Sequence, residues 1–270
     1  MKIYDCFSYW DEDLLLDIRL NILNRYVDYF VIVEGNKTWQ NNPKEFRFDI
    51  NKFSKFKDKI IYVQVKDLPD GNDPYKRENF QRNSITKGIN GASNDDLIII
   101  SDLDEIPNPK TISNFDKKMR YATFEQKHFY YKLNMHSQKN PYWNGSRICV
   151  KKYLKSPQWL RDLKFKKRSL WRIDKFRLNN IISGGGWHFC NLKKPEELLY
   201  KYKNLCETDD PIHFKEKIDL KYLNINEINK RIDLGQDILG RKDNFTKIEI
   251  DKDFPDYILK NKSLFSDWIE

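Results

Sequence analysis

The segment LIIISDLDEIPNP, residues 97–109, drives an apolar run into Asp102, Asp104 and Glu105. Side chains two apart in an extended chain share a face, so Asp102 and Asp104 point to one side. Carboxylates that close repel unless a cation or a shared proton relieves them. Hard ions such as Mg²⁺ or Mn²⁺ take one or two carboxylates and fill their shell with phosphate oxygens. A cation held there stabilises a departing diphosphate. The spacing points to metal-assisted chemistry on a nucleotide or phosphate substrate. The competing structural account is a solvated acidic turn, closed by Pro107 and Pro109.

Two further groups carry chemical potential. His188 follows Gly184, Gly185, Gly186 and Trp187. Its imidazole either completes a metal shell or packs against the Trp187 ring. The glycines allow a close backbone approach or a sharp turn. His128 and His136 sit among aromatics and read as core or surface residues. In RENFQRN, Arg77 and Gln81, Glu78 and Arg82, and Asn79 and Asn83 are spaced i,i+4. That gives a polar helix face turned to a nucleotide diphosphate, or ordinary pairing on a wet face.

These residues need a frame. KIYDCF predicts a strand, DEDLLLDIRLNILNRYV a helix, and DYFVIVEG a strand. KIIYVQVKD is a further strand. Asp73 and Pro74 then supply an N-cap and a first helical residue for YKRENFQRNSITKGI. DDLIIISD closes the series as a strand. The unbroken runs FVIV and LIII imply strands covered on both faces, so the expected fold is α/β with a mainly parallel central sheet flanked by helices. Ligands in such sheets sit beyond the carboxyl ends of the strands, where Glu34, Asp67 and Asp102 to Glu105 fall. Further along, TFEQKHFYYKLNM predicts a strand and IISGGGWHFCNL a three-glycine turn. KPEELLYKYKNL and NINEINKRIDLG predict surface helices, and the tail a short helix. No internal repeat or low-complexity linker divides the chain, and one domain is expected.

Of 270 residues, 39% are hydrophobic and 14% aromatic, enough for a core and against global disorder. No run approaches the roughly 18 to 20 apolar residues that span a bilayer. The start MKIYDCFSYWDED turns acidic at once and lacks a signal region. Cys6, Cys149, Cys190 and Cys206 are widely spaced, which predicts reduced thiols. A cytoplasmic protein is expected, open to peripheral membrane contact. The net charge of +9 is concentrated in residues 151–180, where 11 Lys or Arg face only Asp162 and Asp174. Such a patch attracts an anion or is simply a solvated basic face.

Taken together, DYFVIVEGNKTW, DLPDGNDPYKRENFQRN, IIISDLDEIPNP and GGWHF resemble glycosyltransferase family 17, which includes the enzymes that add a bisecting N-acetylglucosamine to N-glycans. DLGQDILGR and PDYILKN resemble its C-terminal pattern, so the likeness runs from about Lys2 to Phe265. The resemblance implies a GT-A-like fold, a UDP-sugar donor (UDP-N-acetylglucosamine above all), inversion, and Mn²⁺ or Mg²⁺. By matching position it implies that Asp102 and Asp104 hold metal and donor diphosphate, with Glu105 in the same motif. Glu34, Arg77, Asn79, Gln81, Arg82 and Asn83 become donor-side residues. His188 becomes a metal ligand by analogy with other GT-A enzymes. Residues 1–109 would form the nucleotide-sugar half, and 110–270 the acceptor half with C-terminal helices. Cys190 stands where a small hydroxyl residue is expected.

Inversion requires a base to deprotonate the acceptor hydroxyl. Asp162 and Asp174 are the favoured alternatives, since the basic segment would keep them ionised; the competing account is a salt bridge to a neighbouring Arg or Lys. The acceptor is expected to be a glycan or glycoconjugate, with an anionic one fitting the basic segment. Two rival functions compete. In one, DLDEI belongs to a phosphohydrolase with Asp102 as nucleophile, but Thr is missing at the fifth position and Asp209 and Asp210 are poor partners. In the other, Trp159, Phe165 and Trp171, interleaved with basic residues, bind nucleic acid by stacking. The combined motifs disfavour both.

Overall fold

A computed structural model describes residues 1–165, 180–205 and 223–270. The first half follows the expected order: β1 (Ile3–Ser8), α1 (Asp13–Leu23), β2 (Tyr29–Gly35), β3 (Ile60–Val65), α2 (Pro74–Asn83), α3 (Ile85–Gly88) and β4 (Leu97–Ser101). Then come β5 (Glu105–Pro107), β6 (Tyr121–Tyr130), β7 (Met135–Ser137), β8 (Tyr142–Val150), α4 (Pro157–Asp162) and β9 (Ile181–Cys190). The described chain ends with α5 (Pro195–Asn204), α6 (Ile225–Asp233), β10 (Phe245–Lys247) and α7 (Asp256–Lys260).

The strands form one mixed sheet in the order β10-β7-β6-β8-β4-β1-β2-β3, with β9 joining β6 and β5. Pairing is parallel from β3 through β2 and β1 to β4. It turns antiparallel at β8, which pairs antiparallel with both β4 and β6, while β9 runs parallel to β6 and antiparallel to β5. The unbroken apolar runs are buried on both faces, as their pattern requires. One face carries α1 and α7: Phe7, Ile32, Leu16 and Ile18 pack with Phe129, Phe189, Ile258 and Phe265. On the other, Val31, Val33, Ile98 and Ile100 lie under Ile85, Ile89 and Leu160. The Asp73 carboxylate accepts from the Lys76 N–H at 3.2 Å, and Pro74 occupies the first turn, so α2 starts where its cap predicts.

The glycine triplet departs from the expected turn: Gly184, Gly185 and Gly186 are strand residues of β9. Gly186 has φ +136°, and a Cβ there would lie 2.1 Å from the Ile106 carbonyl oxygen. Only a residue without a side chain lets β9 run against β5, in the register Glu105↔His188 and Pro107↔Gly186. This pairing brings His188 to the acidic segment. Among the described residues no helix is long and apolar enough to cross a membrane. Cys6 and Cys149 are buried free thiols and Cys190 is a half-buried one, while Cys206 lies outside the described residues.

Candidate active site

A cavity of about 660 Å³ opens beyond the carboxyl ends of β1 and β4. Its wall includes Trp10, Asp11, Trp39, Gln81, Arg82, Asp102, Asp104, Glu105, His128, Trp143, His188 and Cys190. The acidic segment therefore faces a cleft, together with the imidazole that sequence placed 84 residues later. The Asp104 Oδ2 and His188 Nε2 atoms are 3.5 Å apart. Burial opposes both charges, but each partner outweighs it: His188 holds Asp104 below the usual carboxylate range, and Asp104 raises His188 well above an ordinary imidazole.

Asp102 is treated differently. Its Oδ1 accepts from Arg82 Nη2 at 3.0 Å and its Oδ2 from Arg161 Nη2 at 2.8 Å. Burial pushes its carboxyl up, yet Arg161 and Arg82 prevail and hold it well below its usual range. The side chain stays 42% exposed, so it still faces the cavity. Glu105 is 1% exposed and fully engaged. Its carboxylate accepts from both Arg161 terminal nitrogens at 2.6 and 3.0 Å, from Trp143 Nε1 at 2.8 Å, and from the Asp102 N–H at 3.0 Å.

The loop carrying these acids is fixed from beneath by Arg19 of α1. Its Nε and Nη2 bond both oxygens of buried Asp5 at 2.8 and 2.6 Å. Its Nη1 donates to the carbonyls of Asp102, Leu103 and Glu105 at 3.1, 3.1 and 2.8 Å. One buried guanidinium thus ties the middle of β1 to the turn after β4.

Of the residues expected from sequence, Gln81, Arg82, Asp102, Asp104, Glu105 and His188 line the cavity. Glu34, Arg77, Asn79, Asn83 and Asp162 do not. The fully buried Glu34 carboxylate pairs with Lys44 and accepts from the Arg47 and Phe48 N–H groups and from Tyr62. Arg77 is spent on the Trp39 and Gly71 carbonyls, both at 2.6 Å. Asn83 Oδ1 accepts from the Gln158 N–H at 2.9 Å, and Asn79 is half-buried on α2. Exposed Asp162 accepts only a 2.9 Å bond from Gln158 among the contacts described. Asp174 lies outside the described residues.

Arg19, Arg161 and Trp143 are site residues that sequence reasoning passed over, and His128, expected in the core or on the surface, lines the cavity. Arg19 did carry a signal, a charge set among Leu16, Ile18, Leu20 and Leu23 on an otherwise apolar helix. His128 carried none, because its partner His188 comes from a distant strand: β6 and β9 pair in parallel with His128↔His188 and Tyr130↔Cys190.

A divalent cation fits the Asp104–His188 pair on the donor chemistry observed. A separation of 3.5 Å is long for a charge-assisted hydrogen bond, normally about 2.7–2.9 Å. It suits two ligands that each lie about 2.1 Å from one ion. Asp102 presents its oxygens to the Arg82 and Arg161 guanidinium groups.

An α/β sheet with a carboxylate–imidazole pair at its strand ends defines the class of a ligand-binding α/β protein. The family model described as glycosyltransferase family 17 matches residues 1–254, and the chain belongs to that family. The match supports a glycosyltransferase. Its curated relatives include the human and rat proteins named beta-1,4-mannosyl-glycoprotein 4-beta-N-acetylglucosaminyltransferase. Each is 24% identical to this chain over 241 residues, covering 77% of it. The chain spans 44% of the length of those relatives. Among solved structures, a UDP-glucose pyrophosphorylase complexed with UDP-glucose aligns with 68% of this chain and 84% of its own, at 11% identity and a TM-score of 0.30. Residues 1–349 of S. aureus TarS align with 84% of this chain and 69% of theirs, at 12% identity and a TM-score of 0.37. At those scores neither carries an argument about this chain.

Proposed function

We propose that the protein is a metal-dependent, inverting glycosyltransferase that moves N-acetylglucosamine from UDP-N-acetylglucosamine to a glycan hydroxyl. The observation that carries this reading is the juxtaposition of Asp104 and His188, 3.5 Å apart, in the 660 Å³ cavity beyond the parallel strands. A cavity of that size falls within the range of small-molecule sites, about 300–1,000 Å³. The family membership and the names of the relatives support the sugar and the reaction class. One continuous sheet through both halves supports a single GT-A-like domain.

Asp104 and His188 would hold Mn²⁺ or Mg²⁺, and the bound ion would neutralise charge on the donor diphosphate. Arg82 and Arg161, kept in place by Asp102, add fixed positive charge at the same edge. Trp10 and Trp39, with ring centroids 5.4 Å apart, offer aromatic surface for a nucleobase on the β1 side. Trp143, still 43% exposed, offers a face to a sugar on the β8 side. Deprotonation of the acceptor requires a carboxylate; exposed Asp162 stands away from the cavity, and both oxygens of the wall residue Asp11 are held by Lys193 and Arg47, so we assign the step to Asp174.

The competing functions have less support. A nucleophilic Asp102 needs a free oxygen, and both of its oxygens are held by arginines. Phe165 is buried beneath the Arg147 guanidinium and Trp159 packs edge-on to Tyr121, so neither is presented for stacking on nucleic acid, and Trp171 lies outside the described residues. The direct test is incubation with UDP-N-acetylglucosamine, Mn²⁺ and a panel of neutral and anionic glycans, with UDP release and product mass as readouts. Mn²⁺-dependent sugar addition is expected. Phosphate release without sugar transfer would overturn the reading.

A further inference from the structure

We propose a second metal site in the cavity floor, formed by His128, His188 and Cys190 and suited to a zinc-class ion. It goes beyond the transferase reading, because it uses the nitrogen of His188 turned away from Asp104; a neutral imidazole has one lone pair, so His188 serves either this ion or the Mn²⁺ beside Asp104, not both at once. The parallel register of β6 and β9 places His128 beside His188, and strand alternation puts Cys190 on the same face as His188. The two rings stack with centroids 4.7 Å apart and planes 2° apart. One nitrogen of each ring and the Cys190 sulfur all lie within 4.8 Å of one another.

The hydrogen bonding of each ring fixes which nitrogen is left over. His128 Nδ1 lies 3.1 Å from the Asn140 carbonyl, which can only accept, so Nδ1 carries the proton and Nε2 the lone pair. That Nε2 is buried without a hydrogen-bond partner. His188 turns Nε2 to Asp104, and its Nδ1 is likewise buried and unpartnered. Leaving such atoms unsatisfied is costly unless a partner fills the gap. Each ring therefore turns one nitrogen to a carbonyl or carboxylate oxygen and leaves the other open, the orientation of a metal-bound imidazole. Thiolate and imidazole donors select zinc, or its substitute cobalt, over magnesium. A tetrahedral site with bonds of about 2.0 Å to nitrogen and 2.3 Å to sulfur requires the three atoms to close by about 1 Å, within reach of side-chain rotation. Half-buried Cys190 opens to the cavity, which leaves a fourth position for water or substrate.

Titration of the metal-stripped full chain with Co²⁺ tests the site. One equivalent should bind with the visible bands of tetrahedral cobalt and a thiolate-to-cobalt charge-transfer band. Cys190→Ser should remove the charge-transfer band, whereas Cys206→Ser should retain it. Asp104→Asn should weaken binding about 10–100-fold without removing the band, since Asp104 acts only through His188. His128→Gln should abolish tight binding, with circular dichroism confirming the fold. A charge-transfer band that survives Cys190→Ser, or no tetrahedral spectrum in the wild-type chain, overturns the site. Calorimetry of UDP with Mn²⁺ is a separate readout, so failure here is distinguishable from failure of the transferase reading.

Discussion

At the scale of residues, the acidic segment is tolerable because arginines from elsewhere meet it. Arg161 alone supplies two bonds to Glu105 and one to Asp102. Arg161→Met leaves Glu105, 1% exposed, without its cation. Removing one partner of a buried pair costs about 3–5 kcal/mol, and urea unfolding should show a loss of that size. Arg161→Lys should recover part of it, since an ammonium keeps the charge but not the planar fork. This clamp was not legible in sequence. A lone arginine in a basic segment has no pattern that says which of 11 cations turns inward. Asp104 and His188 were legible, because two-residue spacing at a strand end and a glycine-led imidazole are local features.

Among the elements, the path from β1 to β4 was readable because buried parallel strands demand unbroken apolar runs. Strand β8 was not: YWNGSRICV mixes polar and apolar residues. Some of its buried polar groups find partners only after folding, Ser146 with Gln126 and the Glu105 carbonyl, and Arg147 Nη1 with Thr123, while Asn144 Oδ1 and Arg147 Nε have none. Glycine is disfavoured in strands, which is why β9 looked like a turn; the close approach of β5 reverses that preference. Gly186→Ala should therefore destabilise by well over about 1 kcal/mol, since both φ and contact are violated. A melting temperature unchanged by that substitution would contradict the β5–β9 pairing. Arg19 offers a finer test. Arg19→Met should cost about 3–5 kcal/mol by stranding buried Asp5, and adding Asp5→Leu should restore most of the stability. UDP affinity should stay reduced in the double variant, because the carbonyls of Asp102, Leu103 and Glu105 have still lost their donor.

Across the whole molecule, the four-strand parallel half and the largely antiparallel half meet at one cavity, and ligand binding should stabilise both together. Mn²⁺ with UDP at about 100 times the dissociation constant should add about 2.7 kcal/mol to unfolding, read as a higher melting temperature that chelation reverses. The basic segment was legible as charge; of its 11 cations Arg161 reaches the acidic residues of the site, and six lie outside the described residues. The most direct measurement of the central claim is titration calorimetry of UDP into the wild-type and Asp104→Ala proteins, with and without Mn²⁺. The account predicts UDP binding that requires Mn²⁺ in the wild type and is lost in Asp104→Ala at unchanged folding. UDP binding of equal strength without the ion, or in the Asp104→Ala protein, would contradict it.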